Sequence, residues 1–187
     1  MPKDMAQTEH MPPADTLILR KPSSTDGAAI WALIRDCKPL DENSMYCNLV
    51  QAEHFSDTCV VAELNGAIVG WVSGHMIPNA DALFVWQVAV SPVARGMGLG
   101  RRMLEHLIGR DACAEASQLN TTITRDNEAS WALFHSFARD IGGALSDKAH
   151  FTRDDHFDGH HATEHLVTIT LPDAETVQRA DDALSAA

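Results

Sequence analysis

The apolar positions of this chain fall into short runs with two distinct periods. Residues 58–64 and 67–75 are rich in β-forming side chains, and Asn65-Gly66 between them tolerates the positive φ angles of a two-residue type I′ turn. A β-hairpin is predicted there. Residues 16–20 make a further short β-prone run, and residues 83–90 are apolar nearly throughout, the pattern of a central strand covered on both faces. Elsewhere helical spacing replaces alternation. Ile30, Trp31, Leu33 and Ile34 follow the N-cap oxygens of Ser23, Ser24, Thr25 and Asp26, and Pro39 stops that helix. Met103, Leu104, Leu107 and Ile108 mark a second helix, while Trp131, Phe134 and Ala138 mark a third over residues 127–139, closed by Gly142-Gly143. Short strands are predicted at 119–124 and 164–171, the last stopped by Pro172. Residues 40–54 read as a loop or second short helix, and the polar, histidine-rich stretch before the last strand reads as a loop.

The result is an α/β chain whose 187 residues suit one domain, expected over 16–172. Residues 1–15 contain Pro2, Pro12 and Pro13 without periodicity, and 173–187 are acidic and alanine-rich; both are expected to be tails, the second flexible or helical. No apolar run approaches the roughly 20 residues that cross a bilayer, and the start lacks the basic and apolar regions of a signal peptide, so a cytoplasmic protein with no membrane partner is expected. Cys37, Cys47, Cys59 and Cys113 stand at wide spacings without a C-x-x-C pair, which predicts reduced packing residues. A formal charge of −12, from 14 Lys and Arg against 26 Asp and Glu, argues against nucleic acid as a partner. It suits a cationic substrate or a salty cytoplasm as well as an ordinary acidic surface.

Arg95-Gly96-Met97-Gly98-Leu99-Gly100 lies between the buried strand and the second helix. Backbone N–H groups in such a loop point at one region of space, and the helix N-terminus adds partial positive charge, so a pyrophosphate can be held there. Neither the Rossmann G-x-G-x-x-G nor the Walker lysine pattern is present. Val88-Ala89-Val90 followed by Arg95, Gly98 and Gly100 resembles the R/Q-x-x-G-x-G/A acetyl-CoA motif of the GCN5-related N-acetyltransferases (GNAT), and residues 127–134 resemble the N-x-x-A-x-x-L-F/Y helix beside the pantetheine arm. Closer still is the likeness to the L-2,4-diaminobutyrate acetyltransferases of ectoine synthesis. Arg20-Lys21-Pro22-Ser23, residues 26–31, Leu40-Asp41-Glu42-Asn43-Ser44-Met45-Tyr46-Cys47, residues 84–90 and Thr124-Arg125-Asp126-Asn127 carry it, over about 17–171.

That resemblance implies a single-domain GNAT fold, a mixed and mostly antiparallel sheet flanked by helices and splayed at the acetyl-CoA site near Val88. It also implies acetyl-CoA as cosubstrate, held by Val88, Val90, Arg95, Gly96, Gly98, Gly100 and Asn127, with the Val88 N–H polarising the thioester carbonyl. Asp41, Tyr46, Trp86 and Glu164 are implied around the diaminobutyrate, and a homodimer is expected. An amine of this kind has a pKa near 10.4, so its proton must pass to a carboxylate or water before attack. Glu164 is the expected base and Asp41 the partner of the second ammonium, although a loop Asp is often only solvated and Glu164 could lie on the exposed face of its strand.

In one respect the chain departs from the superfamily. Where many members carry a tyrosine general acid, Phe134 and Phe137 stand, and Tyr46 is the only tyrosine in the chain. Thiolate reprotonation then falls to water or another group, for which His135 is a poor substitute. His150, His156, His160, His161 and His165, interleaved with Asp154, Asp155 and Asp158, supply potential metal ligands. No zincin pattern accompanies them, and no metal is expected. Other amine acceptors, and an acetyl-CoA-binding regulator without turnover, remain alternatives at this level.

Overall fold

The computed structural model describes residues 16–38 and 40–172, so both expected tails and Pro39 lie outside the described residues. Seven strands form one sheet in the order β1-β2-β3-β4-β5-β7-β6. They are β1 (Leu17–Arg20), β2 (Val60–Leu64), β3 (Ala67–Met76), β4 (Ala82–Val90), β5 (Gln118–Thr124), β6 (Leu145–Phe151) and β7 (Glu164–Thr170). Every neighbouring pair is antiparallel except β4 and β5. The β2–β3 hairpin turns where expected, with Asn65 at φ 52° and Gly66 at φ 84°.

Each face of the sheet is covered by a helix pair. Helix α1 (Gly27–Asp36) and helix α2 (Met45–His54) close one face, with Ile30, Leu33, Ile34 and Ala52 over Val61, Trp71 and Ala89. Helices α3 (Leu99–Ile108) and α4 (Glu128–Asp140) close the other, with Leu99, Met103, Leu104, Leu107, Phe134 and Phe137 over Val60, Val72, Leu83 and Val85. The cap residues before α1 form a short 3₁₀ turn, and Asp26 makes no cap bond to the helix. Its carboxylate instead takes a two-pronged bond from Arg20, at 2.8 and 2.9 Å, and one from the Ser23 N–H at 2.7 Å. Arg20 also reaches Glu63 at 2.9 Å, tying β1, β2 and the start of α1 together.

The central strand contains an irregularity that apolar patterning does not reveal. Ser73 pairs with Gln87 and Gly74 with Val85, which leaves Trp86 as an extra residue on β4. A one-residue insertion resets the alternation of faces. Leu83 and Val85 therefore share the α3–α4 side with Val88 and Val90, while Ala89 packs beneath α1. Parallel pairing with β5 covers only Ala82, Leu83 and Phe84. The sheet thus parts directly after Phe84, a little before the expected position near Val88.

One expectation is corrected outright. Residues 145–151, read as part of a polar loop, form the edge strand β6, paired with β7 along its length. Only Leu145 is half-buried and the rest is exposed, so no apolar alternation marks it. A polar, charged edge strand is one of the ways a sheet avoids pairing with other chains.

Candidate active site

Where β4 and β5 diverge, two cavities open side by side. One, of about 540 Å³, is lined by Asp41, Trp86, Gln87, Thr122, His161 and Glu164 among others. The second, of about 730 Å³, is lined by Val90, the glycine loop and the outer face of α4. Leu40, Val88, Asn127 and Ser130 line both, so the cavities meet at Val88.

Gly96 (φ 79°) and Gly98 (φ 66°) occupy the left-handed region, and Gly98 is the residue that opens α3. A Cβ on either would meet no protein atom within 4 Å, so open space lies above the loop. The first N–H groups of a helix have no partners inside it, and Leu99, Gly100 and Arg101, which begin α3, line this cavity. Among the described residues Lys38, Arg95 and Arg101 line this cavity and no Asp or Glu does. Even in a chain of net charge −12, the space suits a phosphate-bearing molecule such as coenzyme A.

The smaller cavity has the opposite character: among the described residues Asp41, Asp126 and Glu164 line it, and no Lys or Arg does. Glu164, at the start of β7, keeps 18% of its side chain exposed, and its Oε2 is buried without a hydrogen-bond partner. Burial pushes its carboxyl above the ordinary glutamate value, and the charge of Asp41 adds to the rise; His161 and Thr122 pull the other way. The Asp41 side chain is 88% exposed, with Oδ2 3.8 Å from His161 Nε2. The same Nε2 stands 4.0 Å from Glu164 Oε1, and on the other side of the ring Nδ1 meets the Ala162 carbonyl at 2.8 Å. His161 had stood out in the sequence only as one of five clustered histidines.

Most of the expected site residues converge. Asp41, Trp86 and Glu164 line the acidic cavity; Val90, Arg95, Gly96, Gly98 and Gly100 line the basic one; Val88 and Asn127 line both. Asn127 also caps α4, its Oδ1 accepting from Ser130 N–H at 3.1 Å. Tyr46 lines neither cavity: it is 74% exposed on α2. Phe134 and Phe137 are buried in the core, and His135 is exposed beside Trp131. The protic side chain that α4 offers where the cavities meet is Ser130, which nothing in its sequence context had singled out. Among the described residues no group of three or more His, Cys, Asp or Glu is placed to hold a metal ion. Several of the clustered histidines pack on rings instead, His150 and His156 on Phe151 and His161 on Phe157.

Comparison with known proteins agrees with this geometry. Residues 28–138 match the acetyltransferase (GNAT) family. The chain is 46% identical over 160 residues to an L-2,4-diaminobutyric acid acetyltransferase of Vibrio cholerae, covering 85% of this chain and 92% of that protein. It is equally identical over 158 residues to one of Halomonas elongata, covering 83% and 82%. A diaminobutyrate acetyltransferase from Paenibacillus lautus, solved with L-2,4-diaminobutyric acid and coenzyme A, superposes with a TM-score of 0.80 at 36% identity, over 84% of this chain and 96% of that one. With its sheet parted between a basic and an acidic cavity, the chain belongs to the GNAT acetyltransferase family and, within it, to the L-2,4-diaminobutyric acid acetyltransferases.

Proposed function

We propose that the chain transfers the acetyl group of acetyl-CoA to the side-chain (N4) amine of L-2,4-diaminobutyrate, the acetylation step of ectoine synthesis, by direct attack of the amine on the thioester. The sorting of charge between two cavities that meet at Val88 carries this reading: cationic residues line the one, carboxylates the other. An anionic acyl donor and a dicationic acceptor then approach from opposite sides.

Asp41 holds one ammonium of the acceptor, and Glu164 takes the proton of the other. Half-burial suits Glu164 to this role, because its raised pKa narrows the gap to the amine it must deprotonate. The freed nitrogen lone pair forms the new C–N bond as the C–S bond breaks and the thiolate leaves. Meanwhile the Val88 N–H stabilises the negative charge developing on the carbonyl oxygen. Trp86 walls the acceptor side, and Ser130 or a water beside it returns a proton to the thiolate.

We further propose that residues 16–172 act as one catalytic domain in the cytoplasm, where its four cysteines stay free, as they are in the structure, and that it works as a homodimer. Met45, Tyr46 and Trp86 are large apolar side chains left exposed near the acidic cavity's loop. A second subunit over this surface would give Tyr46 the substrate contact that it lacks in the single chain.

Thiol release from acetyl-CoA, measured in parallel with diaminobutyrate, ornithine, lysine and a peptide amine, tests the reaction. Strong preference for diaminobutyrate with the acetyl group on N4 is expected. Preference for another amine would leave the reaction class and remove the substrate.

A further inference from the structure

Between Trp86 and Val88 stands Gln87, a polar side chain only 7% exposed in a strand that is otherwise apolar. Its amide does not turn to the facing strand, although Ser73 lies opposite it in register with a buried hydroxyl that has no partner. Instead Nε2–H donates to the backbone carbonyl of Asp41 at 2.9 Å, and Oε1 accepts from Asn43 Nδ2 at 3.5 Å. A carbonyl can only accept, so the Asp41 contact decides which end of the Gln87 amide is nitrogen.

We propose that Gln87 is a positioning residue for acceptor recognition, a clamp that ties the Asp41–Asn43 loop to the strand bearing Val88. This rests on the acetyl transfer to diaminobutyrate proposed above. Residues 40–44 belong to no helix or strand, and the Asp41 carboxylate projects largely into solvent; Glu42 ties the loop back to Arg35 and Lys38, while Gln87 ties it to β4. The Gln87 bond acts at the Asp41 carbonyl itself, and its other end rests on the next residue but one. Gln87 itself is held in β4 by its pairing with Ser73, directly beside the Trp86 bulge. The clamp therefore sets the spacing between Asp41, Glu164 across the cavity, and Val88 next along the strand. That spacing decides which of two ammonium groups meets Asp41 and which is left for the thioester. Gln87 touches no reacting atom in this scheme; it acts through Asp41.

Gln87→Met keeps the side chain's length and removes both hydrogen bonds. The KM for diaminobutyrate should rise about tenfold, as expected for losing a buried hydrogen bond at a binding loop. N2-acetylated product should appear beside the N4 product, while the Kd for acetyl-CoA changes by less than about twofold. Asn43→Ala, at a half-buried position that also lines the acidic cavity, removes only the longer bond and should move KM the same way by a smaller factor. An unchanged KM and product ratio in a Gln87→Met protein that merely melts earlier would overturn the proposal, as would unchanged values in Asn43→Ala should the first variant not fold. The wild-type protein run alongside keeps the two ideas separate. If it prefers another amine, the substrate assignment falls, and the clamp is judged on the KM of the amine preferred.

Discussion

His161 faces Glu164 at 4.0 Å through Nε2, while its Nδ1–H is engaged by the Ala162 carbonyl at 2.8 Å. Because that carbonyl can only accept, the Nε2 edge is left toward the two carboxylates, Glu164 and Asp41. The gaps exceed a direct hydrogen bond and leave room for a water or an ammonium hydrogen between them. A base, a second carboxylate and an imidazole therefore share one end of the acidic cavity.

Glu164→Gln should lower kcat by about 10²- to 10⁴-fold, the range for loss of a general base. Acetyl-CoA affinity should be unchanged, because Glu164 lines only the acidic cavity. His161→Ala should lower kcat less. Steady-state kinetics with separate cofactor titrations measure both; equal loss of turnover and cofactor binding in the glutamate variant would contradict its role.

The pH dependence of kcat follows from the same residue. Burial raises the Glu164 pKa above 4.5, and a base works only when deprotonated, so turnover should fall as pH drops through this raised value. The acid limb should lie above 4.5 and vanish in Glu164→Gln. The linked effect on stability has the opposite sense to that of a paired carboxylate, since ionising Glu164 costs folding free energy as pH rises from 4.5 through the raised value.

Asp26 shows the usual sense. The Arg20 guanidinium holds its carboxyl below the ordinary value of 3.8, so the stabilisation is present above 3.8 and lost as pH falls through the lower folded-state value. Asp26→Asn should cost about 2 kcal/mol at neutral pH, typical of hydrogen bonds to a charged group. Denaturant melts at neutral and strongly acid pH should show the gap to wild type closing in acid.

Gly98→Trp should weaken acetyl-CoA binding by about a hundredfold or more. A Cβ there meets no protein atom within 4 Å, so the bulk enters the basic cavity rather than the core, with added strain from φ 66°. Calorimetry gives the Kd, and a far-ultraviolet spectrum like that of wild type shows the fold kept.

Dialysis against a chelator should leave turnover intact. The clustered histidines of residues 150–165 are held by rings and local hydrogen bonds, as in the Thr152 N–H bond to His156 Nδ1 at 3.1 Å. Loss of activity restored by zinc would reverse this expectation.

Local chemistry makes much of the molecule legible in its sequence. Asn65-Gly66 declares its hairpin because few residues tolerate two positive φ angles in succession, and the glycine loop declares an anion site because its neighbours are a buried strand and an amphipathic helix. Strand β6 stayed hidden, since its side chains face solvent and its only signature is pairing with β7, a partner beyond a turn. The Trp86 bulge was equally silent, because a uniformly apolar run looks the same in either register.

By itself the amino-acid order determined most of the elements, with β6 the exception, together with the acetyl-CoA motif and, through resemblance, the class of acceptor. Tertiary structure alone decided which polar groups meet. It brought Gln87 to the Asp41 carbonyl 46 residues away and His161 between two carboxylates, and it left Tyr46 outside the cleft. The reason is physical. A motif is read from spacing along the chain, whereas these contacts depend on strand register, a one-residue bulge and the parting of two strands, and those are settled by packing between segments far apart in sequence.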